Sequence, residues 1–176
     1  DYERIATVLC RGGWPNAIGL ADDVSESVAK NYLNVLCQSD ISRVDGVKKD
    51  PDLARAILRA YARQTSTIDS DTSMYDDIRS NYALVSEATI ASYIKVLKRL
   101  YIIEDIEAWN PNIRSKTAIR TSPKKAFVDP SLAVAALGCS KKELMLDINT
   151  FGLLFENLVG RDLSVYAKKH GGVLRH

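Results

Sequence analysis

Apolar residues recur at helical spacing along most of the chain, punctuated by Ser, Asp, Gly and Pro. Over 2–11, Ile5, Val8 and Leu9 share one face, and Gly12-Gly13 followed by Trp14-Pro15 stops the helix. Over 25–43, Val28, Tyr32, Val35 and Leu36 repeat in the same way, with Ser25 expected as the N-cap and Gly46 as the end. Asp50-Pro51, a cap followed by a first-turn proline, opens a third helix. Its apolar side holds Leu53, Ile57, Leu58 and Tyr61; Arg55, Arg59 and Arg63 lie opposite and are expected to be solvated. The polar run 65–72 predicts a loop.

A short helix over 74–80 and a longer one over 86–101 follow, separated by the turn 81–85. In the longer one, Ile90, Tyr93, Ile94, Leu97, Leu100 and Tyr101 keep the i, i+3, i+4, i+7 pattern, and Ser86 is its cap. This is a helix–turn–helix layout. Two β-prone segments come next, 102–109 and 124–128, each ended by a proline dipeptide. Helices over 131–137, 140–148 and 151–170 complete the chain, the last closed by Gly171-Gly172. The predicted fold is mainly α with a small β-hairpin (α+β), a winged helix–turn–helix flanked by helices on both sides.

The composition narrows the class. With 46% hydrophobic residues and a net charge of +2, the 176-residue chain can bury a core and is not disordered. No apolar run is long enough to span a bilayer, so no membrane association is expected. Cys10, Cys37 and Cys139 lie far apart in apolar stretches, as in a reduced cytoplasmic protein. His170 and His176 stand alone at the end, and no phosphate-binding, zinc or nucleophile motif occurs. The chain opens on Asp1, as a processed or excised piece would.

The near-neutral charge conceals an asymmetry. Residues 1–107 carry 13 basic and 17 acidic side chains, whereas 108–176 carry 11 and 5. Within 108–128, Arg114, Lys116, Arg120, Lys124 and Lys125 meet no acid, and Ser115, Thr117, Thr121 and Ser122 add neutral donors. A basic wing beside a helix–turn–helix fits a nucleic-acid backbone. The same stretch also fits a solvated connection or a dock for an acidic protein surface. The presumed recognition helix begins Glu87, Ala88, Thr89 and carries Lys95, Lys98 and Arg99 only later. Without Arg or Asn in its first turn, backbone contact is expected in place of base-specific readout.

Four segments carry a resemblance: Cys10 to Pro15; Asp40 to Val47; Ser122 to Leu132, which includes Lys124-Lys125-Ala126-Phe127-Val128-Asp129-Pro130; and Phe151 to Val159. Together they resemble the C-terminal region of a large prokaryotic family of AAA-type P-loop ATPases. The resemblance covers essentially the whole chain, and the last two segments are the most specific. It implies three modules: the tail of the ATPase helical lid (1–20), a winged-helix domain (21–128), and the first helices of a truncated restriction-endonuclease-like domain of unknown function (129–176). It further implies that the Walker motifs lie before Asp1 and the D…ExK metal ligands after His176. On that reading the fragment is non-catalytic and holds no cofactor, while the parent chain is an ATPase using ATP and magnesium. The expected partners are nucleic acid, the ATPase core in cis, or a further copy in a homo-oligomer; the alternative role is a protein-interaction or oligomerisation module.

Single residues stand out against this background. Glu156 is the candidate metal ligand, by likeness to a first-helix glutamate in restriction-endonuclease-like folds; a structural acid paired with a base is the competing reading. Asp129, before Pro130 and Ser131, reads as an N-cap. Gly12-Gly13 beside Arg11 reads as a helix C-cap, with close approach to a phosphate as the alternative. Trp14 and Trp109 read as core or interface anchors. The candidate nucleic-acid contacts are Arg114, Lys116, Arg120, Lys124, Lys125, Lys95 and Arg99.

Overall fold

The computed structural model describes residues 1–68, 70–109 and 122–176. Its helices are α1 (Tyr2–Arg11), α2 (Asp22–Val35), α3 (Ile41–Asp45), α4 (Pro51–Arg63), α5 (Asp71–Arg79) and α6 (Glu87–Arg99) before the strands, then α7 (Pro130–Leu137), α8 (Lys141–Leu146) and α9 (Ile148–Lys169). The strands β1 (Ile103–Ile106) and β2 (Lys124–Phe127) form one antiparallel pair, with Ile103 opposite Phe127 and Asp105 opposite Lys125. The fold is thus mainly helical with a small two-stranded sheet, as the hydrophobic pattern predicts. No helix of the described residues is long and apolar enough to cross a membrane.

Helix α7 explains the architecture. Its sequence, PSLAVAAL, is apolar all round, and such a helix must be surrounded. Pro130 through Val134 are buried, and α7 packs against α1, α2, α4 and α9. Residues from all three stretches expected as modules, from Ala6 through Leu33 and Phe127 to Leu158, share one buried cluster.

Several boundaries differ from expectation. Ser25 is not a cap: it is buried inside α2, and its hydroxyl donates to the carbonyl of Asp22 at 2.8 Å. Asp22 and Asp23 fill the first turn instead, where the helix dipole favours negative charge. The continuous 25–43 helix is interrupted by a π-turn over Leu36–Asp40. The last helix starts at Ile148, because Asp147 accepts from the backbone N–H and hydroxyl of Thr150 at 3.1 and 2.6 Å.

The loop after α4 seals the sheet. Thr65 and Ser66 are buried. The Ser66 N–H donates to the Lys125 carbonyl at 2.8 Å, and the Lys125 N–H donates to the Thr67 carbonyl at 3.2 Å. One step along β2, the Asn157 side chain from α9 takes over: its Oδ1 accepts from the Phe127 N–H at 2.9 Å and its Nδ2 donates to the Phe127 carbonyl at 2.7 Å. The outer edge of β2, otherwise a row of unpaired backbone groups, is closed at both positions.

Candidate nucleic-acid interface

Helix α6 owes its orientation to an amphipathic sequence. Ser86 caps it by accepting from the Thr89 N–H at 3.1 Å, and Ile90, Tyr93, Val96 and Leu97 are buried on its inner side. The Tyr93 hydroxyl accepts from the Asp50 N–H at 2.8 Å, pinning α6 to the start of α4. Lys49 lies over the Tyr93 ring at 4.6 Å, donates to the Ser92 hydroxyl at 2.7 Å and pairs with Asp45 at 2.7 Å. Those bonds leave Lys95 and Arg99, one turn apart, pointing outward.

The seven predicted contacts separate into three groups. Lys95 and Arg99 are exposed and make no ion pair with any described residue. Lys124 and Lys125 do not share their surface. Lys125 is 5% exposed and turned inward to Asp71 at 3.3 Å, while Lys124 pairs with Glu156. Strand alternation is the cause, since neighbours on β2 point to opposite sides. Arg114, Lys116 and Arg120 lie outside the described residues.

The exposed side of α6 opens on a groove of about 550 Å³ shared with α5. It is lined by Ala91 and Ile94, by the cations Lys95, Lys98 and Arg99, by Asp71, and by two aromatic rings, Tyr75 and Tyr101. Lys98 is tied to Asp105 of β1. A smaller cleft of about 130 Å³ adjoins it through Asp71, Tyr75, Ile94 and Lys98, and reaches Ser122, two residues before β2. Below this cleft the Tyr61 hydroxyl donates to the Glu104 carbonyl at 3.1 Å. Burial, helped by the nearby Asp105 carboxylate, pushes that phenol far above its usual range.

Tyr101 is the residue the pattern misplaces. Periodicity assigns it to the buried side of α6, yet it is 80% exposed with φ of 55°. The helix ends at Arg99, and Tyr101 turns the chain through the left-handed region into β1. The start of a β-prone run at Ile102 is the sequence signal for that change of direction.

The other single-residue expectations resolve by geometry. Glu156 is half exposed and faces Lys124, and no three metal-ligating side chains gather anywhere among the described residues. A metal role for Glu156 has no supporting partners here. The inward polar group is its neighbour Asn157, 2% exposed. Asp129 caps α7, accepting from the Ser131 N–H at 2.9 Å, and also binds Arg161 at 2.7 Å and the Gly13 N–H at 2.9 Å. The Gly12-Gly13 loop therefore approaches a carboxylate of this chain. A Cβ on Gly12, whose φ is 71°, would lie 2.3 Å from Asp129 Oδ1 and from Ser131 Oγ. Trp14 is an anchor: its indole N–H donates to Ser131 Oγ at 2.9 Å, and its ring packs 5.0 Å from that of Tyr32. Trp109 is exposed instead, beside Leu163 and Tyr166 of α9.

A family model described as Domain of unknown function (DUF8612) matches residues 2–143, most of the chain. The chain belongs to the DUF8612 family. No curated protein and no solved structure matches it. The part matched to DUF8612 contains α1 to α7, both strands and the whole groove beside α6, but ends before α9.

Proposed function

We propose that this chain is the winged-helix portion of an AAA-type ATPase and contributes contacts to a nucleic-acid backbone. The observation that carries the reading is the pair Lys95 and Arg99, exposed on the outer face of α6 without an acidic partner among the described residues. The element order supports it: α4, α5 and α6 followed by an antiparallel hairpin is the order of a winged helix. The acid-free run 108–128, which takes in β2 and most of the segment before it, adds Arg114, Lys116 and Arg120 in the sequence. A cation on such a face attracts phosphate and releases counterions, giving affinity without base readout. ATP and magnesium would belong to the parent chain, where hydrolysis would regulate this contact.

Fluorescence anisotropy with a labelled duplex tests the reading. Affinity should fall steeply with salt, and neutralising Arg114, Lys116 and Arg120 should flatten the dependence by about 0.9 for each phosphate that no longer meets a cation. Binding that ignores salt, or no binding, overturns it.

A second reading, a protein-interaction or oligomerisation module, rests on a different face. Phe155, Val159, Leu163 and Tyr166 form an exposed apolar stripe on α9. Light scattering tests it: a monomer whose mass Leu163→Glu leaves unchanged counts against self-association through α9.

A further inference from the structure

A surface built only for phosphates has no use for aromatic rings, and the groove beside α6 has two. Tyr75, which also packs against the core, and the exposed Tyr101 line it beside Ala91, Ile94, Lys95 and Arg99. Tyr101 is 80% exposed and makes no ring contact with another described aromatic. Its backbone sits at φ of 55°, a region that disfavours a bulky side chain. A large apolar ring thus stays in water on a conformation that glycine would hold more easily, so folding alone does not account for the tyrosine.

This inference rests on the nucleic-acid reading and names the form of nucleic acid. We propose that the groove binds an unpaired strand, a base stacking on Tyr101 while Lys95 and Arg99 hold the adjacent phosphates. A duplex hides the faces of its bases and shows only their edges and the backbone. The first turn of α6, Glu87, Ala88 and Thr89, offers no arginine or asparagine to read those edges. An unpaired base presents a π face, which an exposed tyrosine accepts whatever the sequence. Asp71, the acid lining the groove, is offset by its pairing with Lys125.

The test measures anisotropy of the 176-residue chain with labelled oligothymidylate of about 20 nucleotides and with a blunt duplex of equal length. The single strand should bind more tightly. Tyr101→Gly, which removes the ring but suits the positive φ, should lose roughly tenfold on the single strand, leave duplex affinity unchanged and hold or raise the melting temperature. Tyr101→Phe should keep single-strand affinity. Removing Lys95 and Arg99 together should flatten the single-strand salt dependence by about 0.7 for each phosphate left without its cation. Equal or tighter binding of the duplex, or full single-strand affinity in Tyr101→Gly, overturns the stacking inference and leaves backbone binding standing. Binding of neither probe overturns both.

Discussion

Two polar regions of this molecule contrast in how their groups are satisfied. Along the seam between α9 and the segment 127–129, Asn157 and Arg161, one turn apart, meet the Phe127 backbone and the Asp129 carboxylate. On the outer face of α6, Lys95 and Arg99, also one turn apart, meet no described acid. The spacing is the same and the outcome opposite. Buried polar groups that are mutually satisfied hold a fold together, and their loss is felt as stability. Exposed charges without partners contribute little to folding and are free for a ligand. Variants of the seam should therefore unfold the protein, and variants of the face should leave it folded.

The largest effect is expected at Asn157. Asn157→Leu strands the N–H and carbonyl of Phe127 in the core, and each buried unpaired group costs about 1–3 kcal/mol. Denaturant unfolding should show a loss of about 3 kcal/mol. A loss below about 1 kcal/mol would mean that water or the neighbouring backbone replaces the amide, and the contrast would fail at its strongest point.

Asp129 comes next. Asp129→Ala removes a helix cap and the partner of Arg161 together, at an expected cost of about 2–3 kcal/mol. Asp129→Asn keeps the acceptor for the Ser131 N–H, and Arg161 retains Asp162 at 2.8 Å, so this variant should lose only about half as much. Equal losses for the two variants would make the charge, not the cap, the stabilising element.

The contrast also marks what the sequence could and could not disclose. Helices α1, α4 and α6 and the hairpin are legible because each has one apolar side and a clear cap or breaker. Helix α7 is legible as a helix from Asp129-Pro130 and Gly138, but its place at the centre follows from an absence of periodicity, which does not say what surrounds it. Within the candidate site, periodicity separates inside from outside and does not choose among polar neighbours. Glu156 and Asn157 are adjacent on α9, and only three-dimensional packing reveals that the amide turns inward. Strand alternation could have divided Lys124 from Lys125 beforehand, since a basic pair on one strand cannot serve one surface.

Proton linkage gives a smaller, distributed effect on the interior. Burial pushes the Cys10 thiol up to about 12 and the Cys37 thiol up to about 11, and raises the Tyr61 phenol well beyond its usual range. These groups ionise first in the unfolded chain. Their contribution to stability is complete below the unfolded values, near 9 for the thiols and 10 for the phenol, and is lost as pH rises above them. Melting temperature should decline progressively from about pH 9 upward, and Cys37→Ser should soften the early part of that decline. A flat melting temperature from about pH 8 to 11 would show that the three groups are wetter than their packing indicates.

The smallest effect on stability belongs to the outer face, and it is the one that decides the contrast. Lys95→Ala with Arg99→Ala removes two exposed cations that pair with no described acid, so unfolding free energy should change by less than about 0.5 kcal/mol. Alanine favours a helix at least as well as the residues it replaces, so the one helical cost is the lost interaction of Arg99 with the dipole in the last turn, about 0.3 kcal/mol at an exposed site. A decline of more than about 1 kcal/mol would show that the two side chains support the fold through their aliphatic stems, packed over Ala91 and the tyrosine rings. The face would then be a second seam. An unchanged melt combined with weakened, less salt-sensitive nucleic-acid binding would instead separate the two regions by function: one holds α9 to the core, and the other is kept free for phosphate.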